Sequence, residues 1–258
     1  MNKKTSDKEA PTIYTSYSES PEHVVSAYQN LGQKLQHIDP NTKYWNWEVT
    51  GYLSNASLAR IFALEKIYLK ILKLHGSVIE LGCHSGATSI LLSNFRSLFE
   101  PYNNSREFHL FDTFTGFPEN QSDSDLDQPL FSFELKDNYK EHLENIISSQ
   151  NIIQSNSSRS TNIQVHAGNI KKTFPDFKEK NPHTLIALAL VDLDQFSITK
   201  FAIENLESLL RPGSLVVFSG ANCRNTPGVN KAIEGTFLKK YEIKKDLNLP
   251  YLGYIEIV

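Results

Sequence analysis

The sequence is short of cysteine, methionine and tryptophan, with two, one and two of them in 258 residues. Cys83 and Cys223 stand far apart and in no metal-ligand spacing. That argues against a disulfide framework and a thiolate cluster, and it fits a reducing compartment, so a cytoplasmic location is expected. Long apolar runs are also missing. The opening Met1-Asn2-Lys3-Lys4 is charged and no signal-like run follows it, and no segment nears the roughly 18 consecutive apolar residues of a membrane span. Positive charge is not in excess either: 26 Lys and Arg face 29 Asp and Glu, for a formal net charge of −3. Such a balance gives no basic surface to neutralise a phosphate backbone, so neither nucleic acid nor membrane is expected as a partner. A small-molecule substrate is.

What is present is a globular composition, 40% hydrophobic, of a length that one α/β core with extensions can use. Residues 1–20 are polar and without period, and read as a flexible tail. From 21 to 75 the pattern is helical. Between Leu58 and Ile71 apolar residues return every three or four positions around Arg60, Lys66 and Lys70, which predicts a helix packed on a sheet and an N-terminal helical extension. That extension is a candidate interface for a homo-oligomer. Beyond Gly76, β-branched runs alternate with helical segments, the pattern of a largely parallel sheet. Strands are expected at about 77–82, 107–112, 162–166, 185–191 and 213–218. Two more, near 240–246 and 251–257, have no helix between them and predict an antiparallel C-terminal hairpin. A polar insertion at about 119–161 carries one predicted helix, Asn138 to Ile147, and is longer than ordinary connections.

The chemistry gathers at strand ends. Ser77-Val78-Ile79-Glu80-Leu81-Gly82 runs into a turn that reaches Gly86 before a helix, and the two glycines permit a sharp turn and a close ligand approach. The spacing lacks the third glycine of the dinucleotide fingerprint, which weighs against a nicotinamide oxidoreductase. Glu80 would repel a diphosphate and suits a cationic sulfonium and amino group. The second strand ends at Asp112, whose two oxygens can accept both hydroxyls of a ribose. Gly168-Asn169 closes the third, where an amide can meet an adenine edge, and Asp192-Leu193-Asp194 closes the fourth, at the mouth of the crevice. Ligands of open α/β sheets bind at these carboxyl ends. Trp45 and Trp47 either line a cleft or anchor the N-terminal segment, with anchoring preferred, and Cys83 reads as a small packing residue.

These residues resemble the macrocin and mycinamicin O-methyltransferases and their deoxyhexose-modifying relatives. The resemblance runs from about residue 58 to 237. It rests on Val78 to Gly86, Phe99-Glu100-Pro101-Tyr102-Asn103, Phe111-Asp112-Thr113-Phe114-Thr115-Gly116-Phe117-Pro118, Gly168 to Pro175, and Asp192 to Thr199. It implies a Rossmann-like class I methyltransferase fold, with a central, mostly parallel seven-stranded sheet, that moves a methyl group from S-adenosylmethionine to a hydroxyl of a sugar or sugar-decorated small molecule. By that resemblance Glu80, Gly82, His84, Ser85 and Gly86 surround the methionine portion of the cofactor, Asp112 and Thr113 the ribose, and Gly168 and Asn169 the adenine, with Asp192 beside them.

The resemblance also implies magnesium on Asp192 with an acidic pair after the fifth strand. Here Ser219-Gly220 stand in place of the acids, and Val229 stands where Glu is common. Only Asp192 and Asp194 remain as local anions, a poor set for an ion that prefers octahedral oxygen coordination. Without a metal, an alcohol of high pKa needs other help. Three outcomes stay open: Asp192 with His84 as the catalytic base, an amine or more acidic hydroxyl as acceptor, or ligand binding without methylation.

Overall fold

The computed structural model describes residues 22–117, 133–156, 158–223, 226–249 and 252–258. The expected tail and much of the polar insertion lie outside them. The chain divides into two compact units, the first ending at Leu58 and the second running from Ala59 to Val258.

In the first unit, α1 (Glu22–Lys34) and α2 (Trp45–Glu48) are joined through a short 3-10 turn. Trp47 is 73% exposed and Trp45 is exposed too. The division falls inside α3 (Asn55–Lys70), after its first turn. The sequence placed the end of the extension at residue 75. Ala63, Leu64, Ile67 and Tyr68 of α3 instead share a core cluster with Val78, Leu92 and Leu110, because the apolar stripe of the helix is buried against the sheet.

The second unit is a sheet covered on both faces. Its strands are β1 (Ser77–Leu81), β2 (Phe108–Asp112), β3 (Ile163–Ala167), β4 (Ile186–Val191), β5 (Leu210–Phe218), β6 (Lys244–Lys245) and β7 (Gly253–Glu256). They lie in the order β3-β2-β1-β4-β5-β7-β6. The first five pair in parallel, while β7 runs antiparallel to both β5 and β6, which is the expected C-terminal hairpin. β1 and β4 are buried along their whole length, as expected of central parallel strands, and β4 is an unbroken apolar run while β1 carries the buried Glu80.

Helices α4 (Ala87–Phe99), α5 (Tyr139–Gln154), α6 (Ile170–Lys180), α7 (Phe196–Leu206) and α8 (Pro227–Gly235) supply the two layers. One face gathers α3, α4 and α5 around Val78, Phe108 and Leu188, and the other gathers α6, α7 and α8 around Ile79, Phe111 and Val216. Helix α5 runs to Gln154, well past the predicted end at Ile147. Gln154 is buried there, accepting a hydrogen bond from Ser97 and donating one to Asn94, so tertiary partners extend a helix into polar sequence.

Two buried arginines tie the other end of the sheet. Arg106 donates to the carbonyls of Ile71, Leu74 and Gly76 and pairs with Glu100 at 2.9 Å. Arg96 donates to the carbonyls of Asn103 and Arg159. Each guanidinium binds carbonyls of the surrounding turns, and removing one half of the buried Arg106–Glu100 pair costs about 3–5 kcal/mol.

Two histidines, His109 of β2 and His166 of β3, lie in the layer beneath α6. His166 stacks on Phe111 with ring centres 4.3 Å apart, and its Nε2 is 3.5 Å from Nδ1 of His109. Burial lowers both to a pKa of about 4, helped by their mutual proximity for His109 and by Lys180 for His166. The unfolded chain therefore takes up protons below pH ~6.5 that the folded chain refuses, so this contribution to stability is whole above that pH and is lost as pH falls through about 4. Melting temperatures measured from pH 7 down to 4.5 should fall more for the wild type than for a His109→Phe, His166→Phe double variant. Equal slopes would place the acid sensitivity elsewhere.

Candidate active site

The carboxyl ends of β1, β2 and β4 meet around the glycine turn. Gly82 continues β1 at φ +87°, and a Cβ built on it would lie 2.0 Å from the carbonyl oxygen of Asp192. Gly86 has φ +74°, and a Cβ there would lie 2.6 Å from Leu143 of α5. The positive φ values are the sharp turn the sequence reading expected of these glycines, and the protein's own packing requires both as well. The Asp192 amide donates to Leu81 O at 2.9 Å, which binds the end of β4 to the end of β1.

Asp112 is held by backbone. Its Oδ2 accepts from the His84 amide at 2.7 Å and its Oδ1 from the Phe114 amide at 2.8 Å. Each oxygen keeps a further lone pair, so the carboxylate is oriented and still able to accept two hydroxyls. His84, Phe114, Asp194 and Asn222 all have positive φ, at 46°, 60°, 57° and 58°, one in each loop after β1, β2, β4 and β5. Strained residues of this kind cost of order 1–3 kcal/mol and collect where a site is being shaped.

Glu80 is 3% exposed and accepts a hydrogen bond from Ser89 of α4. Burial pushes its pKa up to about 7, against the opposing pull of Ser89 and the Arg60 charge, while Asp192 pushes it further up. Asp192 is raised by burial and lowered by Arg60, by the Ser219 hydroxyl bonded to it, and by His84. Asp194 rises to about 7 through burial and the neighbouring Asp192. Arg60 donates from Nη2 to Thr88 Oγ1 at 2.8 Å, within the same group.

The other expected residues divide between framework and ligand roles. Asn169 caps α6, its Oδ1 accepting from the Lys171 amide at 2.9 Å, and its side-chain NH2 stays uncommitted among the described residues. The Thr113 hydroxyl donates to Gly116 O and orders the loop after β2. His84 sets its ring edge-on to Phe133, 6.0 Å away. Gly168 donates to Asp112 O, which joins the ends of β2 and β3. Cys83 is buried and its thiol pKa is raised by that burial, as expected for a packing residue. Sequence reasoning missed Arg60, Ser89 and Ser219. Ser219 was visible only as an acid that was not there, while Arg60 looked like any charge between apolar positions of a helix.

The donor set fits a sulfonium cofactor: Glu80 and Asp192 offer negative charge for its cationic atoms, and Asp112 has two acceptor oxygens that a ribose could use. It does not fit magnesium. Ser219 satisfies Asp192 with a hydroxyl, Gly220 has no side chain to offer, and no cluster of three His, Cys, Asp or Glu is suited to a metal among the described residues.

Several comparisons bear on this arrangement. The family model described as a methyltransferase domain matches residues 79–219, more than half of the chain. Among solved structures, CalS11, the calicheamicin methyltransferase, superposes with a TM-score of 0.85 at 23% identity, covering 97% of this chain and 99% of its own. The apo structure of CalS11, described as a TDP-rhamnose 3'-O-methyltransferase, gives 0.78 at 22% identity over 92% and 95% of the two chains. The O-methyltransferase NovP gives 0.62 at 16% identity over 90% and 99%. At such identities the likeness establishes the fold. A search of curated protein sequences finds no match. The family model takes in the glycine turn, Asp112, Asp192 and Ser219, and on that match the chain belongs to the methyltransferase domain family.

Proposed function

We propose that the chain transfers a methyl group from S-adenosylmethionine to a hydroxyl of a sugar or sugar-decorated small molecule. The reading is carried by one observation: Glu80, Asp112 and Asp192 stand on adjoining strand ends, each positioned by backbone or by a buried hydroxyl, in a chain of the methyltransferase domain family. The fold neighbours support the acceptor class, since CalS11 is named for methylating TDP-rhamnose and NovP is named an O-methyltransferase. An amine acceptor, or binding without methylation, has no such support.

When bound, S-adenosylmethionine supplies a methyl group activated by a cationic sulfur. Glu80 and Asp192 attract that charge, Asp112 accepts the ribose hydroxyls, and Gly168 and Asn169 line the adenine side. Asp192 and Asp194 accept the proton of the acceptor hydroxyl, with His84 beside them. Burial raises both carboxyls, and the neighbouring Asp192 helps bring Asp194 to about 7, so Asp194 can exchange a proton near neutrality. A positioned base gives about 10²–10⁴-fold, and holding the hydroxyl in line with the methyl group supplies much of the remainder. The two free cysteines fit work in a reducing compartment such as the cytoplasm.

Calorimetry should find S-adenosylhomocysteine binding that Asp112→Ala weakens by about tenfold to a hundredfold, the loss of charge-assisted hydrogen bonds to the ribose. Mass spectrometry over a panel of nucleotide sugars and glycosylated metabolites should find a methylated product. No binding and no product would end the proposal. Because the base must be ionised, kcat should fall as pH drops through about 7, and Asp194→Asn should move that limb. An unchanged limb would remove Asp194 from the chemistry. The donor set around Asp192 further predicts turnover that persists after exhaustive EDTA treatment, and a strict need for added magnesium would contradict it.

A further inference from the structure

Glu80, Asp112, Asp192 and Asp194 make the carboxyl end of the sheet acidic. Into this end α3 delivers Arg60. Its guanidinium donates to Thr88 Oγ1 at 2.8 Å, and its charge is felt by both Glu80 and Asp192. Among the described residues no carboxylate lies within ion-pair distance of Arg60, and the bond to Thr88 is the one hydrogen bond its side chain makes. A guanidinium has five N–H donors in a planar fork, so most of this one is uncommitted. A cation is therefore held by one hydroxyl at the head of α4, beside the turn that follows β1, with its fork open.

The methyl donor has charges of both signs. Its sulfonium and ammonium suit Glu80 and Asp192, but its carboxylate is repelled by them and needs a cation within the same pocket. We propose that Arg60, held in place by Thr88, binds that carboxylate and so selects ligands that carry an amino-acid end. This rests on the functional reading above. A planar fork matches a carboxylate with two parallel N–H bonds, which a lysine in its place cannot reproduce. A guanidinium that served only to offset Glu80 and Asp192 would act on the ligand's amine and treat alike two ligands that share the amine and differ in the carboxylate, and the two roles separate on that point.

The test titrates two ligands by calorimetry. S-adenosylhomocysteine has the carboxylate, and its decarboxylated analogue, S-adenosyl-3-thiopropylamine, keeps the adenosine, the sulfur and the amine without it. Arg60→Ala should weaken S-adenosylhomocysteine binding by about tenfold to a hundredfold and cause no comparable loss for the decarboxylated analogue. Arg60→Lys should recover part of the loss, and Thr88→Val, which keeps Arg60 but removes its anchor, should produce a smaller loss with the same ligand selectivity. Melting curves would identify a variant that fails to fold, and Arg60→Lys and Thr88→Val then carry the comparison. Equal losses for both ligands, or none for either, would overturn the assignment of Arg60 while the functional reading stands. A wild-type protein that binds neither ligand would overturn that reading and this one together.

Discussion

The site depends on a contact between main chains. Gly82 presses on the Asp192 carbonyl with no room for a side chain, and the Asp192 amide returns a hydrogen bond to Leu81. This fixes the loop after β4 against the turn after β1. That turn in turn offers the His84 amide to Asp112, and Asp112 accepts the Gly168 amide through its own carbonyl. Four strand ends are thus registered, β1 to β4 and β2 to β3 through main chain and β1 to β2 through the Asp112 carboxylate. Carboxylates positioned this way need little rearrangement when a ligand arrives, which is the condition under which electrostatic binding is most effective.

Keeping so many acids together is unfavourable, and the structure offsets it locally with hydroxyl donors. Ser89 answers Glu80, Ser219 answers Asp192, and Thr88 steadies the one guanidinium that reaches both. The rest of the domain carries the cost through burial. β1 and β4 are buried on both faces, and Arg106 closes the opposite end of the sheet by binding three carbonyls and Glu100. Stability and chemistry are therefore concentrated at opposite ends of the same strands.

Much of this was legible in the residues. Alternation of β-branched runs and helical stripes marked the strands to within one or two positions, except at β5, which begins at Leu210, and β6, which is only Lys244–Lys245. A strand buried on both faces leaves a run that composition alone can identify, whereas edge pairing depends on neighbours. The strand-end acids were legible because short polar interruptions after apolar runs are rare. Arg60 was not, since its role comes from how α3 packs. The meaning of Gly82 and Gly86 was also hidden, because a letter in the sequence does not disclose which atoms a side chain would strike.

Leu143 occupies the space that a side chain at Gly86 would need, so that glycine is held by the fold itself. Under drift, a descendant that lost its cofactor and its reaction would still be selected to keep this glycine for as long as it kept α5 in place. The carboxylates have no such protection, because Glu80 and Asp192 sit where ionised groups are costly and a neutral residue would relieve the strain. In a lineage of this fold, glycine at the turn therefore records ancestry, and the acids beside it record continued use.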